Sequence, residues 1–354
     1  MLFPLLWSRA SHRFAAAGVA AGYFLAASRG LPQGVAAFFG TSVWAGILLW
    51  LAASIAFVGV HAALWSTCPR QRAARYLAAA VLMAIPPFGI VGWAHPVTAA
   101  GVLFPGWGWW GLGATVVGLV AMTTRAWLVA AVLMTGVWVW SAITWMPPSP
   151  PEGWRGIDTA LSSTLGEGTA LEQHRELVGK VIAAAFSGAE VVVLPESSLG
   201  PLTPTVSGYW TDALAARGVA VIAGAVVISP VGYDNAMTVL GPAGTSILYR
   251  SRMPVPVSMW QPWRVWLGDA GGASATFFAD PVVDVAGRHV APLICYEQLL
   301  TWPVLQSMLR RPDTIVGIAN GWWAAGTSIP AIQHASLEAW ARLFDLPLVT
   351  AFNQ

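Results

Sequence analysis

Apolar positions run almost unbroken through the first 146 residues. Past a proline-rich break they fall into short β-branched runs that alternate with amphipathic segments. The first regime predicts helices in a bilayer: stretches at about 14–28, 42–65, 76–94, 97–123 and 126–146 give about five spans. The first stretch is short and alanine-rich, and Arg9 and Arg13 precede it, so a cleaved signal peptide is its rival. Arg29 follows Ala26-Ala27-Ser28 at once and four more stretches come after, which favours an uncleaved span. Pro147-Pro148-Ser149-Pro150-Pro151 cannot continue a helix and separates a helical domain, 1–150, from a second domain, 151–354.

The second regime predicts a layered α/β domain. Leu177, Val178, Val181, Ile182 and Ala185 share one face of a helix over 171–186, and further helices are expected at 211–217, 297–310 and 332–343. Strands are expected at 190–194, 219–228, 236–240, 246–249, 276–284, 289–294 and 314–319, with Gly241-Pro242-Ala243-Gly244 as a hairpin turn. Such alternation implies two sheets with helices outside them.

Composition sharpens the division. Charged residues are 10% of the chain against 56% hydrophobic, and the mean hydropathy is +0.62. No acidic residue precedes Glu152. Seven basic residues before Pro150 and eleven basic against sixteen acidic after it give formal charges of +7 and −5. Placing Arg9, Arg13, Arg70, Arg72, Arg75 and Arg125 in the cytoplasm satisfies the positive-inside tendency and leaves 151–354 in the periplasm of a bacterium. Arg29 alone falls on the far side. Trp107, Trp109, Trp110, Trp138, Trp140 and Trp145 fit interfacial belts, and His95, beside Pro96, fits an interfacial loop. The arginines punctuate apolar segments instead of lining a polar surface, so no nucleic-acid contact is expected. Cys68 and Cys295 fall on opposite sides of the membrane in this topology and cannot pair. No Cys-x-x-Cys, His-Glu-x-x-His or glycine-rich phosphate loop occurs, so neither a metal nor a nucleotide cofactor is predicted.

Chemistry concentrates at two strand ends. His289-Val290-Ala291-Pro292-Leu293-Ile294 is an apolar run that breaks at Cys295, with Glu297 two places on. A nucleophile where a buried strand turns into a helix is held rigidly and reached from one side, as acyl transfer needs. Glu190-Val191-Val192-Val193-Leu194-Pro195 delivers Glu196 in the same way, as a base for the thiol. Glu297 alternatively serves as a first-turn acid favoured by a helix dipole.

Five segments in order carry a resemblance: Leu-Pro-Glu-Ser (194–197), Tyr-Arg-Ser-Arg-Met-Pro-Val-Pro (249–256), Leu-Ile-Cys-Tyr-Glu (293–297), Asn-Gly-Trp-Trp (320–323) and Gln-His (333–334). Together they resemble the carbon–nitrogen hydrolase, or nitrilase, superfamily over roughly 155–354. With apolar spans in front, the chain is similar to that superfamily's membrane-bound members, the apolipoprotein N-acyltransferases and, more closely, a branch serving conjugal plasmid transfer. The resemblance implies a nitrilase-like four-layer αββα sandwich, here lacking the closing strands that related domains carry beyond Gln354. It implies Cys295 as nucleophile, Glu196 as general base and Glu297 in support. The family lysine falls at Ser251 and a further acyltransferase carboxylate at Met259. Arg250 or Arg252 would have to supply the oxyanion's positive charge, and Trp322, Trp323 and Tyr296 would wall the substrate. Implied partners are the lipid bilayer, a lipoprotein, pilin or phospholipid substrate, and the conjugation machinery.

Overall fold

The computed structural model describes residues 2–161, 170–269 and 271–354. The chain divides into two compact units, each continuous in space but not in sequence. One comprises Met1–Pro148, Leu299–Trp302 and Gly326–Leu346; the other comprises Ser149–Gln298, Pro303–Ala325 and Pro347–Gln354.

The first unit is helical, with an aromatic interior and an apolar exterior. The helix Arg13–Ala27 buries Ala16, Ala20 and Phe24, one residue per turn, and leaves Phe14 85% exposed. Phe3, Trp7, Phe57, Tyr76 and Met83 complete that interior, and Trp7 donates its indole N–H to the His61 carbonyl at 3.0 Å. Close helix approach is set by glycine: an added Cβ at Gly46 would overlap the Pro32 carbonyl, and one at Gly101 the Ala339 carbonyl.

The five-span expectation is corrected here. Among the described residues one helix, Val43–Leu64, is long and apolar enough to cross a membrane. The helices Arg13–Ala27 and Leu31–Phe39 would make a second span only if counted together, and they meet at a 55° bend. The stretch at 76–94 is instead the end of a helix, Pro69–Ala84, which stops ahead of Pro86 and Pro87. The stretch at 97–123 divides into a 3₁₀ turn, a single-turn helix and Gly108–Ala121, with Pro105-Gly106 between the last two. Hydropathy averaged over these stretches hides the breaks. His95 lies in the connection ahead of Pro96. It is buried, accepts from the Val97 N–H through Nδ1 at 3.1 Å and bonds the Ala80 carbonyl through Nε2 at 2.8 Å.

The second unit holds two sheets. In chain order the strands are β1 Trp154–Gly156, β2 Val191–Val193, β3 Ala220–Ser229, β4 Gly232–Gly241, β5 Gly244–Arg250, β6 Val283–Val285, β7 Arg288–Ile294, β8 Thr314–Asn320 and β9 Leu348–Asn353. The first five form one sheet in sequence order and the last four the other. β1–β2–β3 and β7–β8–β9 are parallel, while β3–β4–β5 and β6–β7 are antiparallel. The helices Ala170–Phe186 and Pro204–Leu214 cover the first sheet, packing Leu177, Val181, Trp210 and Leu214 onto Val192, Leu194 and Val221. The sheets meet at Gly156, where a Cβ would overlap the Thr350 carbonyl. Only glycine lets β1 and β9 come so close.

Several element boundaries differ from expectation. The helix expected at 211–217 begins at Pro204, capped by the Thr203 hydroxyl. The strand expected over 276–284 is only Val283–Val285. The helix expected at 297–310 is a 3₁₀ turn, Cys295–Leu299, followed by Thr301–Met308.

Candidate active site

Parallel strands deliver their side chains at their carboxyl ends, and here the ends of β2, β7 and β8 converge. Leu194 and Pro195 continue β2 into a turn that presents Glu196; Ser197 after it has φ 59°. The turn fits because β3 has glycine opposite: a Cβ at Gly224 would overlap the Glu196 Cα. β7 ends on Cys295, itself at φ 48°, a left-handed conformation that side chains other than glycine adopt at a cost.

The thiol of Cys295 hydrogen-bonds the Glu196 carboxylate. Glu196 is 4% and Cys295 6% exposed, so water competes little for either. Two further donors fix the acid: Asn235 Nδ2 to Oε1 at 2.7 Å, and the Asn320 N–H to Oε2 at 2.9 Å. Burial pushes the Glu196 carboxyl up from the ordinary carboxylate range against these three hydrogen bonds, and the nearby charge of Glu297 adds to the rise. Such an acid holds a proton more readily than a surface carboxylate, as a shuttle between thiol and leaving group must.

Glu297 has a different setting. Its Oε1 accepts from the Tyr249 hydroxyl at 2.8 Å, the Ser251 hydroxyl at 3.0 Å, the Arg252 N–H and the Met253 N–H at 3.1 Å; Oε2 accepts from the Ile294 N–H at 2.8 Å. This carboxylate ties the segment after β5 to the end of β7. It is fully buried, and so is Tyr249, whose hydroxyl is pushed well above its usual range by burial and then by Glu297.

Neither arginine offers a donor at the Glu196–Cys295 pair. Arg252 is fully buried, and all five of its side-chain N–H groups are taken. Nε bonds the Tyr249 hydroxyl, Nη1 the Pro303 carbonyl and Gln306, and Nη2 the Pro292 carbonyl and Ser307. Arg250 bonds Asp234 at 2.8 Å. Asp234 and Asn235 are neighbours on β4 and so point to opposite faces, which puts Arg250 away from Glu196. The chain's one lysine, Lys180, pairs with Glu176 at 2.7 Å on a surface helix. Ser251 occupies the family-lysine position and gives its hydroxyl to Glu297. Met259 belongs to a loop, where its carbonyl accepts from the Ala273 N–H at 2.7 Å.

Of the expected wall residues, Tyr296 is buried, whereas Trp322 and Trp323 are half-buried. Trp323 donates to the Asn320 carbonyl at 3.0 Å, which places it one residue's reach from the Glu196 clamp. Sequence reading missed Asn235 and Tyr249. Their signal was weak: each is a buried polar group in a strand, but a charged residue, Asp234 or Arg250, stands beside it in sequence. Asn353 also went unnoticed. It donates to Asn320 Oδ1 at 2.9 Å and accepts from Thr159 and Leu161, locking the β8 end to β9.

A buried thiol and carboxylate thus meet on converging strand ends of a two-sheet α/β domain. The chain belongs to the carbon–nitrogen hydrolase family, whose model matches residues 25–342. Among its relatives, "Conjugal transfer protein TraB" of Agrobacterium fabrum is 57% identical over all of this chain and 86% of its own length. "Probable conjugal transfer protein TraB" of Sinorhizobium fredii is also 57% identical, over all of this chain and 91% of its own. An apolipoprotein N-acyltransferase of Verminephrobacter eiseniae is 27% identical over 75% of this chain and 57% of its own. The crystal structure of an amidase from Nesterenkonia sp. aligns with a TM-score of 0.41 at 16% identity, over 56% of this chain and 73% of that one.

Proposed function

We propose that the protein is a membrane-anchored thiol amidase or acyltransferase that works through a thioester on Cys295 and serves conjugal plasmid transfer. The hydrogen bond between the Cys295 thiol and Glu196 carries this reading. Glu196 takes the thiol proton as sulfur attacks the acyl carbon. The tetrahedral intermediate collapses as Glu196 protonates the departing amine or alcohol, leaving the thioester. Water or an amine then attacks that carbon, gives its proton to Glu196, and the proton returns to sulfur. With neither Arg250 nor Arg252 offering a donor there, turnover is expected to be ~10²–10³ slower than with such a donor.

The role in conjugation rests on the two relatives named for it, and membrane anchoring rests on the helical unit's exterior. Trp44, Leu48, Ile55, Val117, Val132 and Ile143 are each more than 60% exposed, an apolar surface suited to lipid. In this reading the helical unit lies in the inner membrane and the sheet unit in the periplasm; the seven basic and no acidic residues ahead of Glu152 support the membrane half of it. A second reading, acyl transfer from phospholipid to a lipoprotein amine, is favoured by the N-acyltransferase relative and opposed by Ser251 and Met259.

The test treats the full chain in detergent with an activated acyl ester and locates the adduct by mass spectrometry. A hydroxylamine-labile acyl group on Cys295, lost in Cys295→Ala and slowed by at least ~10² in Glu196→Gln, is expected. An unmodified Cys295 in folded protein, together with normal plasmid transfer by the Cys295→Ala strain, refutes the enzyme and leaves a scaffold. Rescue of cells lacking the N-acyltransferase would select the second reading.

A further inference from the structure

We infer that the helical unit carries a separate binding site for the phosphate headgroup of an anionic glycerophospholipid, built on Arg29. A cavity of about 590 Å³ lies beside it, in the size range of small-molecule sites.

One wall of the cavity is polar. Arg29 is exposed and makes no ion pair among the described residues. Gln33 lies on the same wall. Ser328, which precedes the 16-residue helix Ile329–Phe344, has a buried hydroxyl with no hydrogen-bond partner and does not cap the helix. The dipole of that helix end favours an anion at the same place. A guanidinium, a free hydroxyl and a helix N-terminus match a phosphate's several oxygens.

Much of the remaining lining is apolar. Val43, Ile47 and Trp50 come from the helix Val43–Leu64, the one of bilayer-crossing length. Trp50 is fixed there by its indole N–H to the Ser28 hydroxyl at 2.9 Å. Gly30 presses so closely on Thr327 and Ile329 that a Cβ would lie 3.1–3.2 Å from each, which holds Arg29 at the rim. A bare anion would leave the apolar lining in water, whereas a phosphate followed by acyl chains covers both parts.

Native mass spectrometry of the detergent-solubilised full chain tests this with phosphatidylglycerol, phosphatidylcholine and inorganic phosphate as probes. Preferential retention of phosphatidylglycerol is expected. Arg29→Gln should weaken it about tenfold or more, the worth of one charge-assisted hydrogen bond, while Arg29→Lys keeps part of it. Ile47→Gln should weaken the lipid and leave inorganic phosphate unchanged. Arg125→Gln, which removes the same charge elsewhere on the unit, should change nothing. Cys295 acylation in every variant reports that the chain is folded; if wild type itself is not acylated, the thermal midpoint does so. Equal losses in Arg29→Gln and Arg125→Gln would overturn the site as mere surface attraction. Inorganic phosphate competing as well as the lipid would overturn the amphiphile.

Discussion

Glu297 accepts five hydrogen bonds, three of them from backbone N–H groups, and none of its donors is a reactive group. Glu196, equally hidden from water, accepts two fixed bonds and a third from a thiol. One acid is saturated by the fold, and the other has a partner that is able to leave. The difference teaches that burial alone does not tell the two acids apart. The identity of their hydrogen-bond donors does.

The largest expected effect comes from breaking the saturated acid. Glu297→Ala strands five buried donors, a loss on the order of 5 kcal/mol or more, and thermal unfolding should show the sheet unit melting early or not folding. Glu196→Gln should move the midpoint far less while slowing Cys295 acylation by at least ~10². The opposite pattern would reverse the two roles. Next comes Arg252→Met, expected to cost about 3 kcal/mol because the Pro292 and Pro303 carbonyls lose their donor. Acylation per folded molecule should hold; a hundredfold fall in a stable protein would put the guanidinium in the chemistry.

The pH dependence gives a finer test. Glu196 acts as base only when ionised, so acylation should rise with pH through a limb above the ordinary carboxylate range. Asn235→Leu removes a donor that favours the ionised form and should move the limb higher by about one unit. The sign for stability is the reverse. With its folded value raised, Glu196 binds its proton more tightly in the native state, so this contribution is full at low pH. It is lost as pH rises from the unfolded value through the folded one. The smallest effect is expected at Lys180→Gln, within about 0.5 kcal/mol, because its pair with Glu176 is solvent-exposed.

The sequence made the two strand-end motifs legible because a β-branched run leading to a lone Glu or Cys has few structural explanations. It also carried most of the second unit's strands. β1 escaped because three residues hold no periodicity, and β9 because Leu348–Asn353 follows a helix with almost no turn signal. The helical unit was read as five simple spans because mean hydropathy registers composition and not the prolines and glycines that divide it. Arg252 was misjudged for another reason. An arginine beside a catalytic motif looks available, and only the Pro292 and Pro303 carbonyls, forty and fifty-one positions away, reveal that it is already spent.

The left-handed backbone at Cys295 has a consequence for how this chain can drift. Glycine would relax that corner, easing strain of about 1 kcal/mol, whereas cysteine maintains it. A single codon change at position 295 would therefore exchange the thiol for a backbone at ease.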